Sequence, residues 1–141
     1  MPELSIRRGT QADIASVLLL WEAVGGPPTV SDTPDGLSGL LSADGAALIL
    51  ALSDETLLGT LIAAFDGWRG SFYRLAVHPD VRRQGIGTAL LREGERQLRE
   101  RDALRLTAVV ADDDAIALGF WGAAGYERQR HRTRFVRLAS G

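Results

Sequence analysis

The segment of this sequence best suited to chemistry is Arg82-Arg83-Gln84-Gly85-Ile86-Gly87-Thr88. Glycines at 85 and 87 let the backbone bend tightly and approach a ligand closely. The segment follows His78-Pro79 at a strand end and opens an amphipathic helix. Backbone N–H groups then point outward at a helix N-terminus, where the dipole favours negative charge. A phosphate or pyrophosphate fits there, and the arginines add charge-assisted contacts. A glycine-rich turn with two solvated arginines has the same pattern. A Walker loop is excluded because no Gly-Lys-Ser/Thr follows, and a dinucleotide fingerprint because position 90 is Leu. Absence of Cys removes thiol nucleophiles, disulfides and Cys-based zinc sites together. With His78 and His131 as the only histidines, no metal site is expected.

The scaffold that must hold this segment is small. A length of 141 residues points to a single domain, residues 1–141. Hydrophobic residues at 45% and charged residues at 24% give a globular balance. A net charge of −2 argues against a bulk nucleic-acid binder. All the Lys+Arg total is Arg and Asn is absent, a pattern of GC-rich coding, so Arg for Lys or Asp for Asn carries little chemical weight by itself. The N-terminal stretch has no apolar signal core, and runs such as Ala46 to Leu52 are too short to span a bilayer. A cytoplasmic protein without membrane partners is expected.

Hydrophobic periodicity predicts the elements. Leu4 to Arg8 reads as a strand. Thr10 and Asp13 cap a helix carrying Ile14, Val17, Leu18, Trp21 and Val24, which Gly25-Gly26-Pro27-Pro28 ends. A short amphipathic helix spans Pro34 to Ser42, burying Leu37, Leu40 and Leu41. Ala47 to Leu52, Thr56 to Phe65 and Ser71 to Val77 form an antiparallel meander, with turns at Asp54-Glu55 and Asp66 to Gly70. A helix from about Gly87 to Arg101 presents Ile86, Leu90, Leu91, Gly94 and Leu98 on one face. Leu104, Leu106, Ala108 and Val110 alternate as a strand. Asp114 caps a helix to Ala124, stopped by Gly125, and strands are expected at Tyr126 to Arg130 and Thr133 to Leu138. The strand–helix–strand crossover implies one parallel pair in an otherwise antiparallel sheet.

Here the chain resembles the GNAT superfamily of acyl-CoA-dependent N-acyltransferases. Arg82-Arg83-Gln84-Gly85-Ile86-Gly87 matches the family's Arg/Gln-x-x-Gly-x-Gly/Ala motif, preceded by Leu75-Ala76-Val77-His78-Pro79-Asp80. Asp114-Ala115-Ile116-Ala117-Leu118-Gly119-Phe120-Trp121, followed by Gly125-Tyr126, is similar to the family's Asn-x-x-Ala-x-x-Phe-Tyr segment. Asp66 to Gly70 resembles small bacterial members of the YpeA kind. The resemblance implies an α/β GNAT fold: a mixed, mostly antiparallel sheet with a central splayed parallel pair and helices on both faces. It implies that acetyl-CoA is the cosubstrate and an amine, small molecule or protein, the acceptor. Backbone groups of Leu75, Ala76 and Val77 would pair with the pantetheine arm as an added strand does. The pyrophosphate would rest on N–H groups of Arg83, Gln84, Gly85, Ile86, Gly87 and Thr88, beside Arg82. Strands 71–77 and 104–110 would splay to admit the arm. Dimers are common in the family, so a homodimer is admitted.

Departures from the family pattern bear on mechanism. The family's pantetheine-contacting Asn is Asp114, which lacks the amide donor and serves equally as a helix cap. The family's Tyr, a general acid for the leaving thiolate, is Trp121, whose indole N–H donates a hydrogen bond but supplies no proton. It shapes the thioester pocket or fills the core. Positions where relatives carry a base hold Val109 and Ser71. The catalytic residues are therefore unassigned. Glu22, Asp66, Asp112 and Asp113 are the acids left to consider, each equally readable as a solvated surface acid; a water chain, or the free amine fraction in solvent, would also serve. Tyr73, Trp68 and Trp21 line either a cleft or the core. Arg128, Arg130, Arg132, Arg134 and Arg137 form a basic cluster read as a solvated edge or as a carboxylate trap. Direct attack of the amine, with the oxyanion held by a backbone N–H near Val77, is the expected chemistry. The rival reading is a CoA-binding module that has lost catalysis.

Overall fold

The computed structural model describes residues 3–26 and 28–139, so Pro27 of the expected helix stop lies outside the described residues. Two compact units make up the chain, Met1–Val109 and Val110–Gly141. In the first, β1 (Ser5–Arg8) leads through a 3-10 turn into α1 (Ile14–Val24) and α2 (Pro34–Ser42). Then come β2 (Ala46–Ser53), β3 (Thr56–Phe65), β4 (Gly70–Val77), α3 (Ile86–Glu100) and β5 (Leu106–Ala108). The sheet order is β1-β2-β3-β4-β5, antiparallel except for the parallel β4–β5 pair.

Local chemistry sets the helix ends. The Asp13 carboxylate accepts the Thr10 N–H at 2.8 Å and the Thr10 hydroxyl at 3.1 Å, so the acid reaches back to the cap residue and the hydroxyl acts here as donor. Thr33 caps α2 by accepting the Gly36 N–H at 3.0 Å, and Pro34 supplies a preset φ at the first helical position. Gly25, at φ 96°, ends α1.

The two sheet faces bury different helices. Val17 and Trp21 of α1 and Leu37 of α2 pack with Leu48, Leu50, Leu52, Ile62 and Ala76. Residues of alternate parity face α3. There Gly94 lets helix and sheet meet: a Cβ at 94 would stand 2.8 Å from the Phe72 ring and 2.9 Å from Leu61. Leu48, Leu50, Leu61, Leu90 and Leu98 are almost fully buried, each contributing about 2 kcal/mol by leaving water. Among the described residues no helix is long and apolar enough to cross a membrane.

The second unit holds α4 (Ala115–Ala123) and a segment in which no strand forms among the described residues. A turn does occur at Arg130-His131, but the strands expected at 126–130 and 133–138 are absent. Every described residue from Glu127 onward is exposed, Phe135 at 91%. Alternation has no buried face to read out there, and without one nothing fixes a register.

Candidate active site

The β4 strand is interrupted where the site begins. Thr60 pairs with Ala76 but Ile62 pairs with Tyr73, so β4 carries one residue more than β3 across this interval. The extra residue sits at Arg74, whose φ is 53°. Such a bulge bends its strand and increases the local twist. On the opposite edge the ladder to β5 pairs Gly70, Ser71 and Phe72 with Leu106, Thr107 and Ala108, then stops. Beyond Phe72, the residues Tyr73 to Val77 have no strand partner on that side among the described residues. The edge carrying Leu75, Ala76 and Val77 is thus open backbone, with Ala76 buried and the other two half-buried.

From this edge the chain runs directly into the glycine segment. Pro79–Val81 makes a 3-10 turn, capped by His78, whose Nδ1 accepts the Asp80 N–H at 3.1 Å. That places His78 in a structural role. Arg82, Arg83, Gln84 and Gly85 are exposed. Gly85 caps α3 in the left-handed conformation, φ 81° and ψ 7°, which costs a residue without a side chain little. Ala89 is the first N–H of α3 to bond back, reaching the Gly85 carbonyl at 3.0 Å. By helix geometry the N–H groups of Ile86, Gly87 and Thr88 have no acceptor within the helix. Ile86 itself is buried and anchors the turn on the core, while Thr88 is exposed. A second non-glycine at positive φ, Arg83 at 65°, turns the loop just ahead of Gly85.

Behind the bulge lies a polar chain that sequence reasoning missed. The Trp21 Nε1–H donates to the Thr60 hydroxyl at 2.9 Å, and that hydroxyl donates to the Arg74 carbonyl at 2.9 Å. Thr60 is fully buried. The Arg74 guanidinium pairs with Asp32 through Nε at 3.0 Å and through a terminal nitrogen, and lies 4.7 Å from the Trp21 ring centroid. Burial lowers the Arg74 pKa from its usual value, yet guanidinium stays charged in proteins. No sequence signal joins positions 21, 32, 60 and 74; the positive φ of a strand arginine has none either.

The expected acids are dispersed. Glu22 is exposed on α1. Asp66 accepts the N–H groups of Arg69 at 2.6 Å and Trp68 at 2.9 Å, and those bonds hold its carboxyl below the usual range. It is a turn residue. Trp68 and Tyr73 are more than half exposed, whereas Trp21 is core.

In the second unit Asp114 accepts the Ala117 N–H at 3.0 Å as the α4 cap. Asp112 pairs with Arg128 at 3.2 Å in the open, and Asp113 is exposed. Trp121 is 9% exposed and meets Phe120 and Tyr126 edge-on, at centroid distances of 5.6 and 5.0 Å. The other arginines of the tail are exposed, and Val109, at the end of the first unit, is 61% exposed.

An open strand edge leading into a left-handed glycine and a bare helix N-terminus is what the family resemblance calls for. The Acetyltransferase (GNAT) family model matches residues 18–126. An acetyltransferase of Yersinia pestis is 32% identical over 126 residues, 89% of each chain. A homologue in Yersinia enterocolitica, also described as an acetyltransferase, is 31% identical over the same share. Among solved structures, AAC(6')-Iy in complex with a bisubstrate analogue, CoA-S-monomethyl-acetylneamine, superposes with a TM-score of 0.79 at 20% identity, covering 96% of this chain and 98% of that one. This chain belongs to the acetyltransferase (GNAT) family and has its fold.

Proposed function

We propose that this protein transfers an acetyl group from acetyl-CoA to an amine by direct attack. The observation that carries the reading is the ladder that stops at Phe72 and Ala108 immediately ahead of the Gly85 cap. One continuous stretch, 73–88, thereby offers unpaired backbone for an extended amide-bearing arm and then bare N–H groups for a pyrophosphate. Leu75, Ala76 and Val77 bind the arm. The N–H groups from Arg83 to Thr88 hold the pyrophosphate, with the exposed Arg82 and Arg83 adding charge. The family match runs across position 109, which supports one acetyltransferase domain built from both units.

The residues present constrain the proton traffic. Asp66 is a poor base, its carboxylate stabilised by two N–H groups, and Asp112 is occupied with Arg128. Asp114 serves as a helix cap. Trp121 packs among aromatic rings and supplies bulk. The amine is deprotonated by water or arrives neutral, and rate therefore rises with pH toward the amine's own pKa.

Calorimetry with acetyl-CoA on wild type and Gly87→Val, with amine-dependent release of free CoA, tests this. The valine methyls would crowd the helix N-terminus, so loss of binding in a folded variant is expected; unchanged affinity would sink the assignment. Amino sugars are the first amines to screen, since solved neighbours hold an acetylneamine conjugate and sisomicin. The second reading, a CoA-binding module without turnover, is favoured by Val109 and Trp121 standing where relatives carry ionisable groups. Acetyl-CoA binding without amine-dependent CoA release across the panel would select it.

A further inference from the structure

Arg74 alone, among the described strand residues other than glycine, has a positive φ. Asp54 and Glu55 lie in a hairpin turn, Arg83 in the loop before α3 and Asp102 just after that helix. A left-handed residue inside a strand persists only where its surroundings over-determine it. Here the surroundings are the Thr60 hydroxyl on its carbonyl, the Trp21 ring under its guanidinium and the Asp32 carboxylate on its nitrogens. The Asp32 side chain is only 7% exposed.

Asp32 belongs to the segment between α1 and α2, and that segment is folded around the same carboxylate. Its Oδ2 accepts the Thr29 N–H at 2.8 Å, and its own N–H donates to the Thr29 carbonyl at 3.0 Å. A surface loop is thus fastened to the strand residue that directly precedes Leu75, Ala76 and Val77.

We propose that the Asp32–Arg74 pair couples the 28–33 loop to the cosubstrate strand, so that acetyl-CoA bound along 75–77 orders the loop. This rests on the proposed function for where the cosubstrate lies. A ligand hydrogen-bonded to the backbone of residues 75–77 narrows the φ and ψ of the adjoining bulge residue. The direction of the Arg74 side chain follows its backbone, and Asp32 follows the guanidinium. Fixing Asp32 fixes the two Thr29 bonds. Arg74 is then a positioning residue, and coupling is reciprocal: whatever frees the loop also weakens cosubstrate binding by the same factor.

Hydrogen-exchange mass spectrometry on the full chain, with and without acetyl-CoA, tests this in wild type, Asp32→Asn and Arg74→Lys. In wild type acetyl-CoA should slow exchange in peptides covering both 73–77 and 28–33, the latter roughly tenfold. Both variants should keep protection at 73–77 but lose it at 28–33, and acetyl-CoA should bind severalfold more weakly by calorimetry. Unaltered exchange across α3 in the free variants shows that they fold. Protection of 73–77 without the loop in wild type, or loop protection retained in folded variants, overturns the coupling and leaves the proposed function standing. No protection at 73–77 in wild type refutes the strand assignment, and the coupling with it.

Discussion

Replacing Thr60 with valine should unfold this protein more readily than any change of shape would suggest. The two side chains are nearly isosteric, so no cavity opens and the methyl packing is kept. What disappears is a hydroxyl that accepts from Trp21 Nε1 and donates to the Arg74 carbonyl, both at 2.9 Å. Trp21 is 5% exposed and Thr60 fully buried, so water does not readily replace the lost partner. Each polar group left unsatisfied costs about 1–3 kcal/mol. With two such groups, one in a part-buried bulge, the expected loss is about 3 kcal/mol, or a fall in Tm near 10 °C. Thr60→Ser keeps the hydroxyl and loses one methyl, for about 1 kcal/mol. Urea titrations should rank wild type, serine and valine in that order. In Trp21→Phe with Thr60→Val the orphaned indole N–H is gone, so the double change should cost less than the sum of the singles. A valine variant within 0.5 kcal/mol of wild type, or strict additivity in the cycle, would refute the reasoning.

Three other outcomes follow from the same geometry. Gly94→Ala gains helix propensity but drives a Cβ into the Phe72 ring and Leu61, so chemical denaturation should show a net loss of about 1–3 kcal/mol. Asp114→Ala should cost about 1 kcal/mol as a lost cap while leaving acetyl-CoA affinity unchanged by calorimetry; a large affinity loss would make Asp114 a ligand contact. The hydrogen bonds from Arg7, then Thr10, hold the Asp13 carboxyl below its unfolded value, so its contribution is present at neutral pH and lost as pH falls below about 4. The stability gap between wild type and Asp13→Asn should therefore narrow steadily as pH falls from 5, with part of it still open at pH 2, in urea titrations.

Much of the scaffold was legible because its signals are local. Pro34 opens α2 where the sequence places it, and the Asp54-Glu55 turn separates β2 from β3 as expected. Periodicity named the α3 face correctly, Gly94 included. The tail misled: alternating arginines look like an edge strand, yet a strand needs a partner strand and a buried face, and 127–139 has neither among the described residues. The Thr10–Asp13 cap was legible as a pair of residues three apart ahead of an apolar run. The bulge was invisible because an arginine at positive φ writes nothing into local composition. Asp32 and Arg74 stand 42 positions apart, so their pairing is a property of the fold alone. Acids singled out by rough position, Asp66 and Asp112, proved to have partners of their own, and a loop carboxylate bonds wherever donors are nearest.

The short parallel ladder has a consequence for how the chain assembles. The hairpins of β2, β3 and β4 close over turns of a few residues, so they zip early. Joining β5 to β4 must instead bridge residues 78–105, and only three residue pairs repay that loop closure. The parallel edge, like β1, which must reach β2 across residues 9–45, is therefore among the last pieces of the sheet to form and the first to open. A ligand lying against it completes a sheet that the polypeptide finishes slowly, and refolding with acetyl-CoA present should shorten the late phase without touching the early one.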